Sequence, residues 1–158
     1  MPRIRLNDAI GNPSPQLQAL IRWLDAIATE NVQDLEDSMS DEFYHQVYPL
    51  SLGRSQRNKA EFLAYQQSQL MRIFKNVEFV LDEAVQNSDT VCMRGSSTAT
   101  SATGHPYANE YAVFAGVTKQ PDGRYRVQYV KEFVDSKASI DFFTSEKKRQ
   151  ESLEKSHL

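Results

Sequence analysis

The chain has 158 residues, of which 40% are hydrophobic, and its 21 acidic and 18 basic side chains give a net charge of −3. This length supports one hydrophobic core, so we expect a single domain over residues 1–158 with its core at about 15–145. Without a basic stripe we expect no nucleic-acid binding, and the longest apolar run, Tyr111 to Val117, is too short to cross a membrane.

The cysteine content and the N-terminal sequence bear on the compartment. Cys92 is the single cysteine, which excludes an internal disulfide framework and fits a reducing environment. The first twenty residues contain no apolar stretch of the secretory type. We therefore expect a cytoplasmic protein without a membrane segment.

The N-terminal half is predicted to be mostly helical. Residues 1–14 lack a regular pattern, and we expect them to be frayed. Apolar residues at helical spacing then predict three helices, over 15–29, 31–39 and 58–74. Ser14 is the expected N-cap of the first helix, with Pro15 in its first turn. Residues 41–48 alternate in a way that indicates a short strand.

The second half is predicted to form a meander of strands. These strands are expected over 76–86, 89–100, 107–118 and 124–135. Turn residues at 87–88 and 121–123 separate neighbouring strands, and a last helix over 136–153 precedes a charged tail. The order predicts an α+β domain in which a curved antiparallel sheet wraps around the N-terminal helices. Such a cone encloses a cavity suited to a small ligand.

The last hairpin carries carboxylates at positions where neutral side chains are usual. If Gln120 pairs with Arg124 across the turn, residues of even number share one face on both strands. That face would carry Glu110, Phe114 and Glu132 and line the cavity, while the odd, aromatic face would pack on a second subunit. The reverse assignment leaves the carboxylates at a solvated edge. A β-bulge in the second strand would invert the parity.

Glu132, His45 and Glu110 are the candidate catalytic residues. Two close carboxylates push one pKa upward, which leaves a proton donor beside a base near neutral pH. Histidine is the natural proton shuttle at that pH. The structural alternatives are a salt bridge for either glutamate, with Arg94 as one possible partner, and plain packing for His45.

Five further residues are candidates for substrate binding. They are Tyr48, Arg94, Tyr107, Phe114 and Asp135. The aromatic residues would shape an apolar pocket or belong to the core, and Tyr48 and Arg94 could stabilise oxyanion charge. Asp135 either caps the last helix or faces the pocket. The three histidines lack metal-binding spacing, so we expect no metal site.

Several segments resemble one known family. They are Gly104-x-Pro-Tyr-x-Asn-Glu-Tyr-x-x-Phe114, the turn Asp122-Gly123, and Glu132-Phe-x-Asp135-Ser136. Together they resemble the SnoaL-like branch of the nuclear transport factor 2 (NTF2)-like superfamily, over roughly residues 17–143. The upstream Tyr48-Pro-Leu-Ser-Leu-Gly-Arg54 and Asn58-Lys59 are similar to its fungal members.

The resemblance implies a cone-shaped α+β barrel that is usually dimeric. Members include polyketide cyclases, steroid isomerases, dehydratases, epoxide hydrolases and meroterpenoid cyclases, which use acid/base residues and generally need no cofactor. In several relatives a carboxylate on the last long strand, just before an aromatic residue, is the general acid or base. Glu132 is the matching position here.

We therefore expect a cofactor-independent cyclase or isomerase for a hydrophobic polyketide- or terpenoid-derived intermediate of fungal-type secondary metabolism. The same pocket could dehydrate a substrate or open an epoxide. The alternative from another class is a non-catalytic protein that binds a small ligand or serves as a dimeric scaffold. A homodimer formed through the sheet face is expected in either case.

Overall fold

The computed structural model describes residues 3–158. The helices are α1 (Pro15–Ala28), α2 (Val32–Ser38), α3 (Lys59–Tyr65), α4 (Met71–Ile73) and α5 (Ser136–Ser156). The strands are β1 (Ile4–Leu6), β2 (Met39–Tyr48), β3 (Arg57–Asn58), β4 (Phe74–Asn87), β5 (Thr90–Ser101), β6 (Pro106–Lys119) and β7 (Tyr125–Val134). A π-helical turn, Gln66–Leu70, joins α3 to α4.

Seven strands of the described chain form one curved, unclosed sheet in the order β1-β4-β5-β6-β7-β2-β3. The meander β4–β7 is antiparallel, as predicted, whereas β2 joins β7 in parallel. β1 also pairs in parallel, with β4. The expectation of a frayed N-terminus is wrong for this segment, because Ile4 and Leu6 pack against the core. Met1 and Pro2 lie outside the described residues.

Helix α1 lies against the concave side of the sheet and contributes much of the core. Its start is as predicted: Pro15 is in the first turn and Ser14 Oγ accepts a hydrogen bond of 3.1 Å from the Leu17 amide. Leu20 and Trp23 on its apolar face are buried among residues of β2, α3 and the meander. The sheet therefore wraps around the N-terminal helices, which confirms the predicted α+β cone.

The predicted helix over 58–74 is interrupted. Asn58 and Glu61 form a capping box that fixes the start of α3. At Gln66 the helix widens into the π-helical turn before α4. Such insertions occur often at functional sites because they redirect one side chain without ending the helix.

Helix α5 is anchored to the turn between β5 and β6. Asp135 is its N-cap, and its carboxylate accepts from the Ala138 amide at 3.1 Å. Further along, the buried Glu146 accepts hydrogen bonds from the amide and hydroxyl of Thr103 and from Arg149. In the part of the chain described, no helix combines the length and hydrophobicity that crossing a membrane requires.

The hairpin of β6 and β7 begins with the predicted turn and then changes parity. The Gln120 amide donates to the Arg124 carbonyl at 2.8 Å, and Gly123 has a positive φ of 83°. Val117 pairs with Val127 but Gly116 pairs with Tyr129, so Gln128 is the extra residue of a β-bulge. Beyond this point Tyr111 pairs with Val134 and Val113 pairs with Glu132. Beyond the bulge, odd residues of β6 therefore share the inner face with even residues of β7.

Candidate functional site

A cavity of about 160 Å³ lies between the helices and the concave face of the sheet. Its wall is mainly apolar. The polar side chains that line it include Glu132, His45, Tyr107, Tyr111, Asn109, Ser97, Gln66 and Arg54. In a largely apolar cavity the few polar groups interact strongly with each other and with a ligand, because little water screens them.

Glu132 lies on the inner face of β7, where the bulge at Gln128 directs it. Its side chain is 21% exposed, and its Oε1 lies 2.9 Å from Nε2 of His45. The neighbouring strand β2 supplies the histidine, since Val47 pairs with Glu132 and His45 is two residues earlier. Two of the predicted catalytic residues are thus in direct contact at the cavity.

The imidazole of His45 packs against aromatic rings. It is 3% exposed, and its ring centroid lies 4.8 Å from that of Phe62 and 6.4 Å from that of Trp23. Its Nδ1 has no hydrogen-bond partner among residues 3–158. With a hydrogen on Nε2, the imidazole donates to the Glu132 carboxylate. Glu132 is the more accessible member of the pair.

A chain of hydroxyl groups lies on the inner faces of β5 and β6, in the cavity that Glu132 also lines. The Tyr111 hydroxyl lies 2.7 Å from Ser97 Oγ and 3.2 Å from the Tyr107 hydroxyl, to which Asn109 donates at 3.1 Å. Burial raises the pKa of Tyr107 and raises that of Tyr111 well above its usual value, and the nearby Glu132 charge adds to both shifts. Both tyrosines are therefore neutral hydrogen-bond donors at neutral pH.

Glu110 and Phe114 do not line the cavity, and the prediction that they share the face of Glu132 is wrong. Both lie on the outer face of β6, where Glu110 is exposed and Phe114 is 44% exposed. The cause is the bulge at Gln128, which inverts the parity between the two strands. The paired-carboxylate arrangement is thus absent, and His45 is the group in contact with Glu132.

Tyr48, Arg94 and Asp135 also lie away from the cavity lining. The Tyr48 ring stacks on Phe133 of the outer face at 4.8 Å. Arg94 is exposed and forms salt bridges with Asp82 and Glu83 at 3.2 and 3.1 Å. Asp135 acts as the N-cap of α5, which was its structural alternative. Of the five predicted substrate-binding residues, Tyr107 is the one that lines the cavity.

Several cavity residues were not predicted from the sequence. Tyr111 was assigned to the wrong face by the parity argument, although it belongs to the motif that carried the family resemblance. Ser97 lies in a Ser/Thr-rich stretch that gave no functional signal. Arg54 enters from the loop after β2, with its guanidinium 5.0 Å from the ring centroid of Phe143 on α5. Among residues 3–158 no cluster of three or more potential metal ligands is present.

Comparisons with known proteins agree with this architecture. Residues 20–128 match the model of the SnoaL-like domain. The BvnE pinacolase from Penicillium brevicompactum is 26% identical, with a TM-score of 0.70 over 88% of this chain and 96% of that one. PrhC from Penicillium brasilianum is 18% identical, with a TM-score of 0.73 over 87% and 93% of the two chains.

A more distant structure has the same fold. A ketosteroid isomerase-like protein from Erwinia carotovora atroseptica is 19% identical, with a TM-score of 0.60 over 75% of this chain and 92% of that one. No curated protein sequence matches the chain significantly. The cone-shaped NTF2-like fold expected from the sequence is confirmed.

Proposed function

Because the chain belongs to the SnoaL-like family, we propose that it is an acid/base cyclase or isomerase that needs no cofactor. Its substrate would be a hydrophobic polyketide- or terpenoid-derived intermediate of secondary metabolism. One observation carries the proposal: the Glu132 carboxylate reaches an apolar cavity, is hydrogen-bonded to a buried histidine, and lies beside two neutral tyrosine hydroxyls.

Each of these groups has a role in enolate chemistry. Glu132 removes a proton from a carbon next to a substrate carbonyl, and the electron pair of that C–H bond moves towards the carbonyl oxygen. The Tyr111 and Tyr107 hydroxyls donate to this oxygen as its negative charge develops. Return of the proton from Glu132 to a different carbon completes an isomerisation. In a cyclisation the enolate carbon instead attacks a second carbonyl carbon of the same molecule. The π electrons of that carbonyl move to its oxygen, which takes the proton from Glu132.

His45 supports Glu132 without contacting the reacting carbon. Its Nε2–H donates to one carboxylate oxygen, so the other oxygen stays available to the substrate. The aromatic rings around the imidazole restrict its rotation and fix the direction of that hydrogen bond. We assign His45 as a positioning residue for the general base.

The likeness to a pinacolase favours a second candidate reaction, a pinacol-type rearrangement. Glu132 would then take the proton of a substrate hydroxyl, and the O–H electron pair would form a C=O bond. A substituent would migrate with its bonding pair to an adjacent carbonyl carbon, whose π electrons would move to its oxygen, and this oxygen would receive the proton from Glu132. A tyrosine hydroxyl would donate a hydrogen bond to that carbonyl oxygen as its negative charge develops. Dehydration or epoxide opening would also use Glu132 and the tyrosine hydroxyls. A non-catalytic binding protein would need neither group for proton transfer.

We also propose that the outer face of the sheet forms a homodimer interface. Phe114 and Phe133 are 44% and 45% exposed, their ring centroids are 6.4 Å apart, and the rings of Tyr48 and Tyr129 lie on the same face. A cluster of exposed aromatic residues is typical of a protein interface. The outer face combines even residues of β6 with odd residues of β7, so it differs from the odd face predicted from the sequence. The bulge at Gln128 is the cause.

The acid/base proposal is tested with 3-cyclohexen-1-one, a β,γ-unsaturated ketone small enough for the cavity. Its conversion to 2-cyclohexen-1-one needs only removal and return of one proton, and the conjugated product is followed by its ultraviolet absorbance. The protein should accelerate the conversion, and Glu132→Gln should lower the rate at least about 100-fold. Equal rates for the variant and the original protein, or no acceleration above buffer, would contradict the proposal.

A further inference from the structure

Gln66 carries a buried amide on the helical side of the cavity. The residue is 4% exposed and lines the cavity, and its Oε1 has no hydrogen-bond partner among residues 3–158. Burying an amide oxygen without a partner destabilises a protein, since the group loses its hydrogen bonds to water. The π-helical turn begins at this residue. The Gln66 side chain therefore lies at the π-helical turn, on the side of the helix that lines the cavity.

Two other polar atoms of the same wall also lack partners. They are Trp23 Nε1 and His45 Nδ1, in residues that are 4% and 3% exposed and line the cavity. Phe62 connects the group: its ring centroid lies 5.6 Å from that of Trp23 and 4.8 Å from that of His45. Gln66 follows Phe62 by four residues, which places both on one side of the helix.

We infer that this wall is a polar subsite that binds a hydroxyl group of the substrate. The wall contains donors, the Gln66 amide N–H and the Trp23 indole N–H, together with acceptors, Gln66 Oε1 and, when it carries no hydrogen, His45 Nδ1. The three unpartnered atoms are covered by neighbouring atoms, so a ligand reaches them after small side-chain rotations. A hydroxyl is the smallest group that accepts and donates at once, whereas a ketone oxygen uses only the donors. The substrate class is therefore a hydroxylated apolar molecule with a second oxygen function at the sheet side.

The helical part of the subsite is separate from the groups that move the proton. Gln66 and Trp23 belong to the helical layer, whereas Glu132, Tyr107 and Tyr111 belong to the sheet. His45, on β2, is the one member of the subsite that also contacts Glu132. The inference rests on the proposed function in one respect: it assumes that the substrate occupies this cavity. Hydroxyl recognition by the helices would orient the molecule so that its reactive carbon meets the carboxylate.

The test uses binding and requires no turnover. Phenol and toluene have nearly the same shape and differ by one hydroxyl, and a cavity of about 150 Å³ can hold a benzene ring. Trp23 is the only tryptophan, so one indole N–H resonance in a ¹⁵N–¹H spectrum reports on this wall. We expect phenol to bind about fivefold more tightly than toluene and to shift that resonance further at saturation.

Variants of Gln66 then test where the hydroxyl of phenol binds. Gln66→Met, or Gln66→Leu if the first variant is not folded, should remove the preference for phenol. The matched control is Gln67→Met, because Gln67 is exposed in the same turn, and it should keep the preference.

Two outcomes would overturn the inference. The first is equal binding of the two probes to the original protein together with an unmoved indole resonance. The second is a preference that survives in folded Gln66→Met. If that surviving preference is lost in Glu132→Gln, the hydroxyl binds at the acid/base end of the cavity instead. Failure of the proposed function appears differently, as unchanged turnover in Glu132→Gln.

Discussion

Nε2 of His45 lies 2.9 Å from Oε1 of Glu132, and this contact joins two parallel neighbours in the sheet, β2 and β7. The register explains it: His45 pairs with Val130 and Val47 with Glu132, so the two side chains are diagonal neighbours on the inner face. The imidazole is almost fully buried, whereas the carboxylate retains access to the cavity. This asymmetry agrees with the proposed roles, in which Glu132 reacts and His45 supports it.

The first prediction follows from that asymmetry. His45→Phe should lower kcat for 3-cyclohexen-1-one roughly tenfold with little change in KM, because Glu132 loses the donor that orients it. His45→Gln, which retains an N–H group, should recover part of the lost activity. A loss in His45→Phe as severe as that in Glu132→Gln would show instead that the histidine carries the proton.

The second prediction concerns the hydroxyl chain on β6. Tyr111→Phe should lower kcat roughly 100-fold, because one donor to the developing oxyanion is removed from a site with little water. Tyr125→Phe is the control, since Tyr125 is at the turn end of β7 and is not part of the cavity lining. A Tyr111→Phe variant with unchanged kcat would place oxyanion stabilisation elsewhere.

The third prediction is a loss of stability at alkaline pH. Burial raises the pKa of Tyr111 well above its usual value, so the unfolded chain releases this proton at a lower pH than the folded protein does. The free energy of unfolding should therefore be unaffected by this group below pH ~10 and should fall as the pH rises above that value. Urea unfolding of Tyr111→Phe from pH 8 to 11 should show a smaller decline than the original protein. An identical decline in both proteins would show that Tyr111 does not cause the loss of stability at alkaline pH.

The architecture could be predicted from the sequence because its signals are local. The cap at Ser14, the helical stripe that contains Leu20, and the turn at Gly123 depend on neighbouring residues, and the structure confirms each. The contact between β1 and β4 could not be predicted, because the three residues of β1 carry no distinctive pattern and their pairing is long-range.

The candidate site was only partly predictable, and Gln128 is the reason. One extra residue at this position inverts the face relationship, so Glu132 lines the cavity as predicted while Glu110 is outside and Tyr111 is inside. A bulge depends on packing across the sheet and leaves little trace in a single sequence. The position of Gln66 depends in the same way on a π-helical turn that helical periodicity does not indicate.

The fourth prediction tests the proposed dimer. Phe133→Glu should convert a dimer into a monomer, because a charge would replace a ring at the centre of the aromatic cluster on the outer face. Size-exclusion chromatography with light scattering measures the mass directly. Leu153→Glu, at an exposed position 50% accessible near the end of α5, should leave the mass unchanged. A monomer in the original protein would contradict the proposal.

The fifth prediction concerns the anchor of α5 and its dependence on acid. Burial alone raises the pKa of the Glu146 carboxyl, but hydrogen bonds from Arg149 and Thr103 outweigh burial and leave the pKa below its usual value. The unfolded chain then takes up this proton first as the pH falls, so the contribution to stability is complete above the ordinary carboxyl range and is lost below it.

Glu146→Gln should lower the free energy of unfolding by about 2 kcal/mol at pH 7, because Arg149 and Thr103 lose a charged acceptor in a buried position. The deficit relative to the original protein should shrink as the pH falls below the ordinary carboxyl range, because protonation of Glu146 in the unfolded chain removes its contribution to stability. Glu151→Gln, an exposed position on the same helix, should change little over the same pH range. Hydrogen exchange of α5 amides would show where the loss occurs: faster exchange confined to the helix indicates a detached anchor, whereas faster exchange throughout the sheet would contradict the local role assigned to Glu146.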